Sequence, residues 1–90
     1  MLKRARVIYR GRVQGVGFRY TARRLAQGYA IDGFVKNRTD GSVELVAQGG
    51  EGEIDRFLAD LEQTMGSLIR SRTLTWEPAS KDLDGFSVRF

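Results

Sequence analysis

Gly15, Gly17 and Arg19 take alternate positions in the stretch Gly11-Arg12-Val13-Gln14-Gly15-Val16-Gly17-Phe18-Arg19, a spacing suited to holding an anion. Glycine reaches φ > 0 without a Cβ clash, so two glycines in three residues let the backbone curl tightly. Such a curl aims several N–H groups at one point. A helix that starts at the curl adds its own free N–H groups and the positive end of its dipole. Arg19 brings a planar, permanently charged fork that matches phosphate oxygens. The stretch is neither G-x-G-x-x-G nor a Walker A loop, because no Lys-Ser/Thr follows the last glycine, so nucleotide binding is not indicated. Singly, each residue has a plainer explanation: glycines end strands, and arginines near a helix start are mostly solvated. A cation at that end opposes the helix dipole, which favours a functional purpose for Arg19.

Composition narrows the chemistry further. The chain of 90 residues has no histidine and no cysteine. The commonest general base, the commonest metal ligand and the thiolate nucleophile are therefore absent, and catalysis must run on arginine, carboxylates, amides, hydroxyls or water. Residues 1–24 carry Lys3, Arg4, Arg6, Arg10, Arg12, Arg19, Arg23 and Arg24 and no acid, while the overall charge is only +4. A field of that sign steers anions toward the glycine turn. A basic surface with no particular partner is the competing reading, and charge alone does not separate the two. No run of 18 apolar residues exists to span a membrane, and Met1-Leu2-Lys3-Arg4-Ala5-Arg6 lacks the long apolar stretch of a signal peptide. One cytoplasmic, monomeric domain over residues 1–90, with no membrane partner, is the expectation.

The elements that must position these residues follow from periodicity. Ala5, Val7 and Tyr9 alternate with Arg4, Arg6, Ile8 and Arg10, which predicts a strand over 4–10 with one basic face. Phe18, Ala22, Leu25, Ala26 and Tyr29 form a helical stripe that Gly28 stops. Residues 30–38 make a second strand, weakened at Gly33 by a bend or bulge. Thr39-Asp40-Gly41 is a hairpin signal, and Ser42 to Gln48 alternates as a third strand that Gly49-Gly50 breaks. Ile54, Phe57, Leu58, Leu61 and Met65 mark a second helix, with Glu51, Glu53 and Asp55 near its start and Gly66 at its end. Residues 69–77 form a fourth strand, interrupted by Arg72. A polar loop over 78–84 leads to a short strand alternating Phe86, Val88 and Phe90.

This order, β-α-β-β-α-β plus a short extra C-terminal strand, implies an α+β ferredoxin-like sandwich: an antiparallel sheet with both helices on one face. Strands 1 and 2, joined by a helix, run parallel with strand 3 between them. Their C-terminal ends share one edge of the sheet. The glycine turn and Asn37 therefore meet there, although 18 residues separate Asn37 from Arg19.

Gly11-Arg12-Val13-Gln14-Gly15-Val16-Gly17-Phe18-Arg19 resembles the signature loop of the acylphosphatases. Gly33-Phe34-Val35-Lys36-Asn37, followed by Asp40-Gly41-Ser42-Val43-Glu44, resembles their second signature, and the similarity continues loosely to Phe90. Strand 4 departs from the family's cleaner apolar alternation at Arg72. The resemblance implies hydrolysis of the carboxyl–phosphate bond of acyl phosphates to a carboxylate and inorganic phosphate, without metal or cofactor. It implies that Arg19 grips the phosphoryl group, that the backbone N–H groups of Gly15, Val16, Gly17 and Phe18 complete the cradle, and that Asn37 holds the attacking water.

Two rival classes share this topology. RNA-recognition domains need exposed aromatics on central strands. Asp32-Gly33-Phe34-Val35-Lys36 fits their motif poorly and strand 3 has no aromatic, so no nucleic-acid partner is expected. The second is a non-catalytic relative that binds a phosphorylated ligand, as the acylphosphatase-like domain of hydrogenase-maturation carbamoyltransferases exemplifies. Phe18, Leu25, Phe57 and Trp76 read as core. An open positive mouth with no evident specificity pocket predicts tolerance toward the acyl group.

Overall fold

In the computed structural model, which describes residues 2–90, the chain runs β1 (Leu2–Gly11), α1 (Phe18–Ala26), β2 (Ile31–Asn37), β3 (Val43–Gly50), α2 (Glu51–Met65), β4 (Ile69–Glu77) and β5 (Phe86–Arg89). A single 3-10 turn, Gly66–Leu68, links α2 to β4. The strands form one sheet in the order β4-β1-β3-β2-β5. The ferredoxin-like arrangement expected from the sequence is present, with β3 between the parallel pair β1 and β2.

The sheet is mixed rather than wholly antiparallel, because β5 pairs parallel to β2, Val88 opposite Val35. The reason lies in the connection. β4 and β5 occupy opposite edges, so the segment between them must cross a face of the sheet. It crosses the face away from the helices. There the guanidinium of Arg4 donates to the Ser80 hydroxyl at 2.7 Å and pairs with Asp82, and the Gln48 amide donates to the Ser80 carbonyl at 2.7 Å. Gly33 N–H then bonds the Gly85 carbonyl at 2.8 Å, which starts β5 beside β2. The chain end is thereby carried to the same sheet edge as the glycine turn.

Side-chain alternation sets the core. Ala5, Val7 and Tyr9 face the helices and are fully buried with Phe18 and Ala22 of α1 and Ile54, Phe57 and Leu61 of α2. The other face of β1 is basic, as expected, but much of its charge is neutralised. Arg6 bonds Glu77 at 2.8 Å and pairs with Glu44, and Arg4 pairs with Asp82. The Glu77 carboxyl is held below its ordinary range, chiefly by the Arg6 hydrogen bond. Phe34, on this face, is 8% exposed, with the Arg89 guanidinium 3.8 Å from its ring centre, so it offers no open stacking platform to a base.

Several local expectations are corrected. Gly49-Gly50 does not break β3: both stay in register with Lys3 and Leu2. A Cβ on Gly49 would lie 2.6 Å from the Ala30 carbonyl oxygen, so close backbone approach explains this glycine. Gly33 is likewise paired without a bulge, opposite Ala47, and its missing Cβ would sit 1.8 Å from the Val46 carbonyl oxygen. α1 ends with Gln27 as its cap and Gly28 just beyond it, as expected, but Tyr29 lies outside the helix and packs edge-on to Phe57 from the following turn. Trp76 is not core. It lies on the edge strand β4, 43% exposed, with the Lys3 ammonium 5.5 Å from its ring. Arg72 interrupts β4 for a reason: it stands opposite Tyr9 and reaches Glu62 of α2 at 2.6 Å, and Glu62 also accepts the Tyr9 hydroxyl at 2.8 Å. Among the described residues no helix is long and apolar enough to cross a membrane.

Candidate active site

The glycine loop begins where β1 leaves the sheet. Arg12 N–H donates to the Leu68 carbonyl at 2.9 Å, and Val13 is 1% exposed, which fastens the loop's first half. Phe18 fastens the other half: it is buried, with its ring 5.3 Å from that of Tyr9. Burying Phe18 turns the next side chain, Arg19, outward. Between these anchors Gly15 has φ +73° and Gly17 has φ +79°. Nothing lies within 4 Å of a Cβ built on either, so the left-handed backbone, not crowding, demands glycine here.

Gly17 caps α1 with no side-chain hydrogen bond, and the first turn holds no acid. The first helical bond runs from Thr21 N–H to the Gly17 carbonyl at 2.9 Å. Among the described residues, the amides of Gly15, Val16, Gly17 and Phe18 donate to no protein acceptor. A positive helix end with free donors is thus left open to an anion.

Asn37 closes β2, and the hairpin beyond it is tightly built. Arg38 N–H bonds the Ser42 carbonyl at 2.9 Å, and the Asp40 carboxylate accepts the Ser42 amide at 3.0 Å. Hydrogen bonds from the Ser42 hydroxyl and then from its amide, aided by Arg38 and Arg10, hold the Asp40 carboxyl below its usual range. Gln14 ties loop to hairpin. Its Nε2 donates to the Arg38 carbonyl at 2.7 Å and to the Ser42 carbonyl at 2.8 Å.

Gly15, Gly17, Phe18, Arg19 and Asn37 line one open cavity of about 590 Å³. The structure thus brings together every residue singled out for this site except Val16, whose exposed side chain lies outside the lining. Among the contributors that sequence reasoning missed, two tie distant segments to the site. One is Gln14, which lay inside the motif without an assigned role. The other is the chain end: Phe86, Val88 and Phe90 line the cavity, Arg19 donates to the Arg89 carbonyl at 3.0 Å, and its guanidinium lies 4.7 Å from the Phe90 ring centre. The alternation of those three residues was a readable signal for a strand, but not for its neighbour.

Comparison with known proteins shows the family and the fold. The family model for Acylphosphatase matches residues 5–88. An acylphosphatase of Bacillus licheniformis is 42% identical over 81 residues, covering 90% of this chain and 88% of that protein. The crystal structure of acylphosphatase from Bacillus subtilis superposes with a TM-score of 0.89 at 35% identity over the whole of both chains. A structure of HypF from T. kodakarensis matches with a TM-score of 0.84 at 30% identity, over 98% of this chain and 12% of that one. With a family match spanning β1 to β5 and two Bacillus acylphosphatases similar over most or all of their length, the chain belongs to the acylphosphatase family.

Proposed function

We propose that the cavity hydrolyses acyl phosphates, with Arg19 and the backbone N–H groups of Gly15, Val16, Gly17 and Phe18 holding the phosphoryl group and Asn37 orienting the attacking water. The observation that carries this reading is the shared cavity, in which a free helix end, a guanidinium and the Asn37 amide at the end of β2 meet. Water attacks phosphorus in line, the bond from phosphorus to the carboxylate oxygen breaks, and a carboxylate and inorganic phosphate leave. A carboxylate is a good leaving group, so little acid catalysis is required. Phosphoryl transfer rests mainly on positioning and on stabilising charge over the equatorial oxygens. Fixed donors supply that at about 3–4 kcal/mol for each important one. An amide is too weak a base to take the water's proton, and a substrate phosphate oxygen accepts it. No histidine is then needed. The reading requires no metal or cofactor, and it has the chain act as a cytoplasmic monomer on a dissolved small molecule.

The test is hydrolysis of benzoyl phosphate in the presence of a chelator. Arg19→Ala should lower kcat/KM by about 10²–10³-fold and weaken inhibition by inorganic phosphate, because ground state and transition state share that group. Asn37→Ala should lower kcat by a similar factor with KM little changed. Full kcat in Asn37→Ala would refute the water-holding role. Likeness to a segment of HypF favours one second reading, a non-catalytic phosphoryl-ligand module. Phosphate binding without turnover by the wild type would select it.

A further inference from the structure

We propose that the cavity carries a built subsite for an apolar, preferably aromatic, acyl group, walled by Tyr20 of α1 and by Val88 and Phe90 at the chain end. The proposal rests on the hydrolase reading above and deepens it. A cavity of about 590 Å³ has the size of a site for a whole small molecule, far more than a phosphoryl group fills. Its polar end is the glycine loop with Arg19 and Asn37. The remainder of the wall is mostly apolar, with Tyr20, Phe86, Val88 and Phe90, and it also holds Arg23 and Ser87.

The exposure pattern is the second observation. The large apolar side chains left exposed among the described residues are Leu2, Val16, Tyr20, Trp76 and Phe90. Three of these five, Val16, Tyr20 and Phe90, lie in or next to this one site. Tyr20 is 68% exposed and Phe90 95% exposed, so each holds an apolar face in water when the site is empty. Exposed apolar groups gathered about a concave polar site mark a binding surface. Both aromatics flank the cation proposed to grip phosphate: Tyr20 follows Arg19 in the helix, and Phe90 follows the residue whose carbonyl Arg19 bonds. An acyl group leaving the phosphoryl centre therefore meets apolar side chains. The parallel pairing of β5 with β2 builds this wall, since it delivers Val88 and Phe90 to the sheet edge that holds Asn37. Such a wall discriminates among acyl groups, where the sequence alone predicts tolerance.

The experiment compares kcat/KM for benzoyl phosphate and acetyl phosphate. Both acyl groups are uncharged, so the nearby cation Arg23 does not bias the comparison. Phe90 also touches Arg19, so Phe90→Ala should slow both reactions, but the phosphoryl group is common and that loss cancels in the ratio. Among the described residues Arg19 bonds Arg89 and lies over Phe90 rather than Tyr20, so Tyr20→Ala provides an independent reading. The wild type should favour benzoyl phosphate. Removing roughly 50 Å² of ring contact should lower the benzoyl-to-acetyl ratio about eightfold in each variant. Phe90→Leu, which keeps an apolar side chain, should retain most of it. A ratio unchanged within twofold in both alanine variants overturns the subsite while leaving the hydrolase reading intact. A wild type that hydrolyses neither compound overturns the hydrolase reading, and this inference with it.

Discussion

Gln14→Ala separates the two halves of the site without touching either. One side-chain amide joins the glycine loop to the hairpin after Asn37, through bonds of 2.7 Å and 2.8 Å to the Arg38 and Ser42 carbonyls. Neither carbonyl is orphaned by the change. The Ser42 oxygen keeps Arg38 N–H at 2.9 Å and the Arg38 oxygen keeps Gly41 N–H at 3.2 Å. The loss is then that of two ordinary hydrogen bonds, about 1–2 kcal/mol. For a domain of this length that lowers Tm by roughly 5–15 °C. The kinetic effect should be larger than the stability effect suggests. If loop and hairpin drift by about 1 Å, the water and the phosphoryl group leave in-line geometry, at a cost approaching 10²-fold in kcat. Arg19 and the loop amides remain, so competitive inhibition by inorganic phosphate should change little. Gln14→Glu removes the donor and sets a carboxylate against two carbonyl oxygens, and should fall below the alanine variant in both Tm and kcat. The assay is thermal unfolding alongside steady-state hydrolysis of benzoyl phosphate. A lowered Tm with wild-type kcat would refute the alignment role and leave Gln14 a structural brace.

Two further predictions concern the scaffold. Gly33→Ala places a Cβ 1.8 Å from the Val46 carbonyl oxygen, inside the sheet, and should cost more than about 3 kcal/mol in urea unfolding, whereas Gly15→Ala meets open space and should cost only the left-handed strain of about 1–2 kcal/mol. Equal stability of the two variants would contradict the close approach of β2 and β3. The second concerns pH. Hydrogen bonds from Arg4 and Ser80 lower the Asp82 carboxyl to about 2, and Asp40 and Glu77 are also held low. A carboxylate whose folded pKa lies below its unfolded value adds stability above the unfolded pKa and loses it as pH falls through the folded one. Tm should therefore hold steady from neutrality to about pH 5 and fall between about pH 4 and 2. Asp82→Asn should flatten part of that limb, modestly because the pair is solvent-screened. An acid limb identical in wild type and Asp82→Asn at low salt would show that the strap contact adds nothing.

The sequence carried much of the site because its components are local. Two glycines at alternate positions and an arginine beside a helix start are short-range facts, and backbone dihedrals and helix ends obey short-range physics. The β-α-β-β-α-β order was legible for the same reason: apolar periodicity changes from two to 3.6 at each junction. From that order came the pairing of β1 and β2 about β3, and with it the meeting of Arg19 and Asn37. The tertiary structure decided what periodicity cannot encode. Gly49 and Gly33 look like breaks until the approaching carbonyls of Ala30 and Val46 are seen. Arg72 looks like a flaw until Glu62 and Tyr9 stand beside it. Gln14 has no visible task until two carbonyls from another hairpin arrive at its amide. The apolar wall is the clearest case. Phe86, Val88 and Phe90 declare a strand, but only the crossing of the sheet by the preceding loop seats that strand beside β2 and its end against Arg19. Local dihedrals and alternation are written along the chain; which distant segments touch depends on summed burial across the whole fold, and no single stretch contains it.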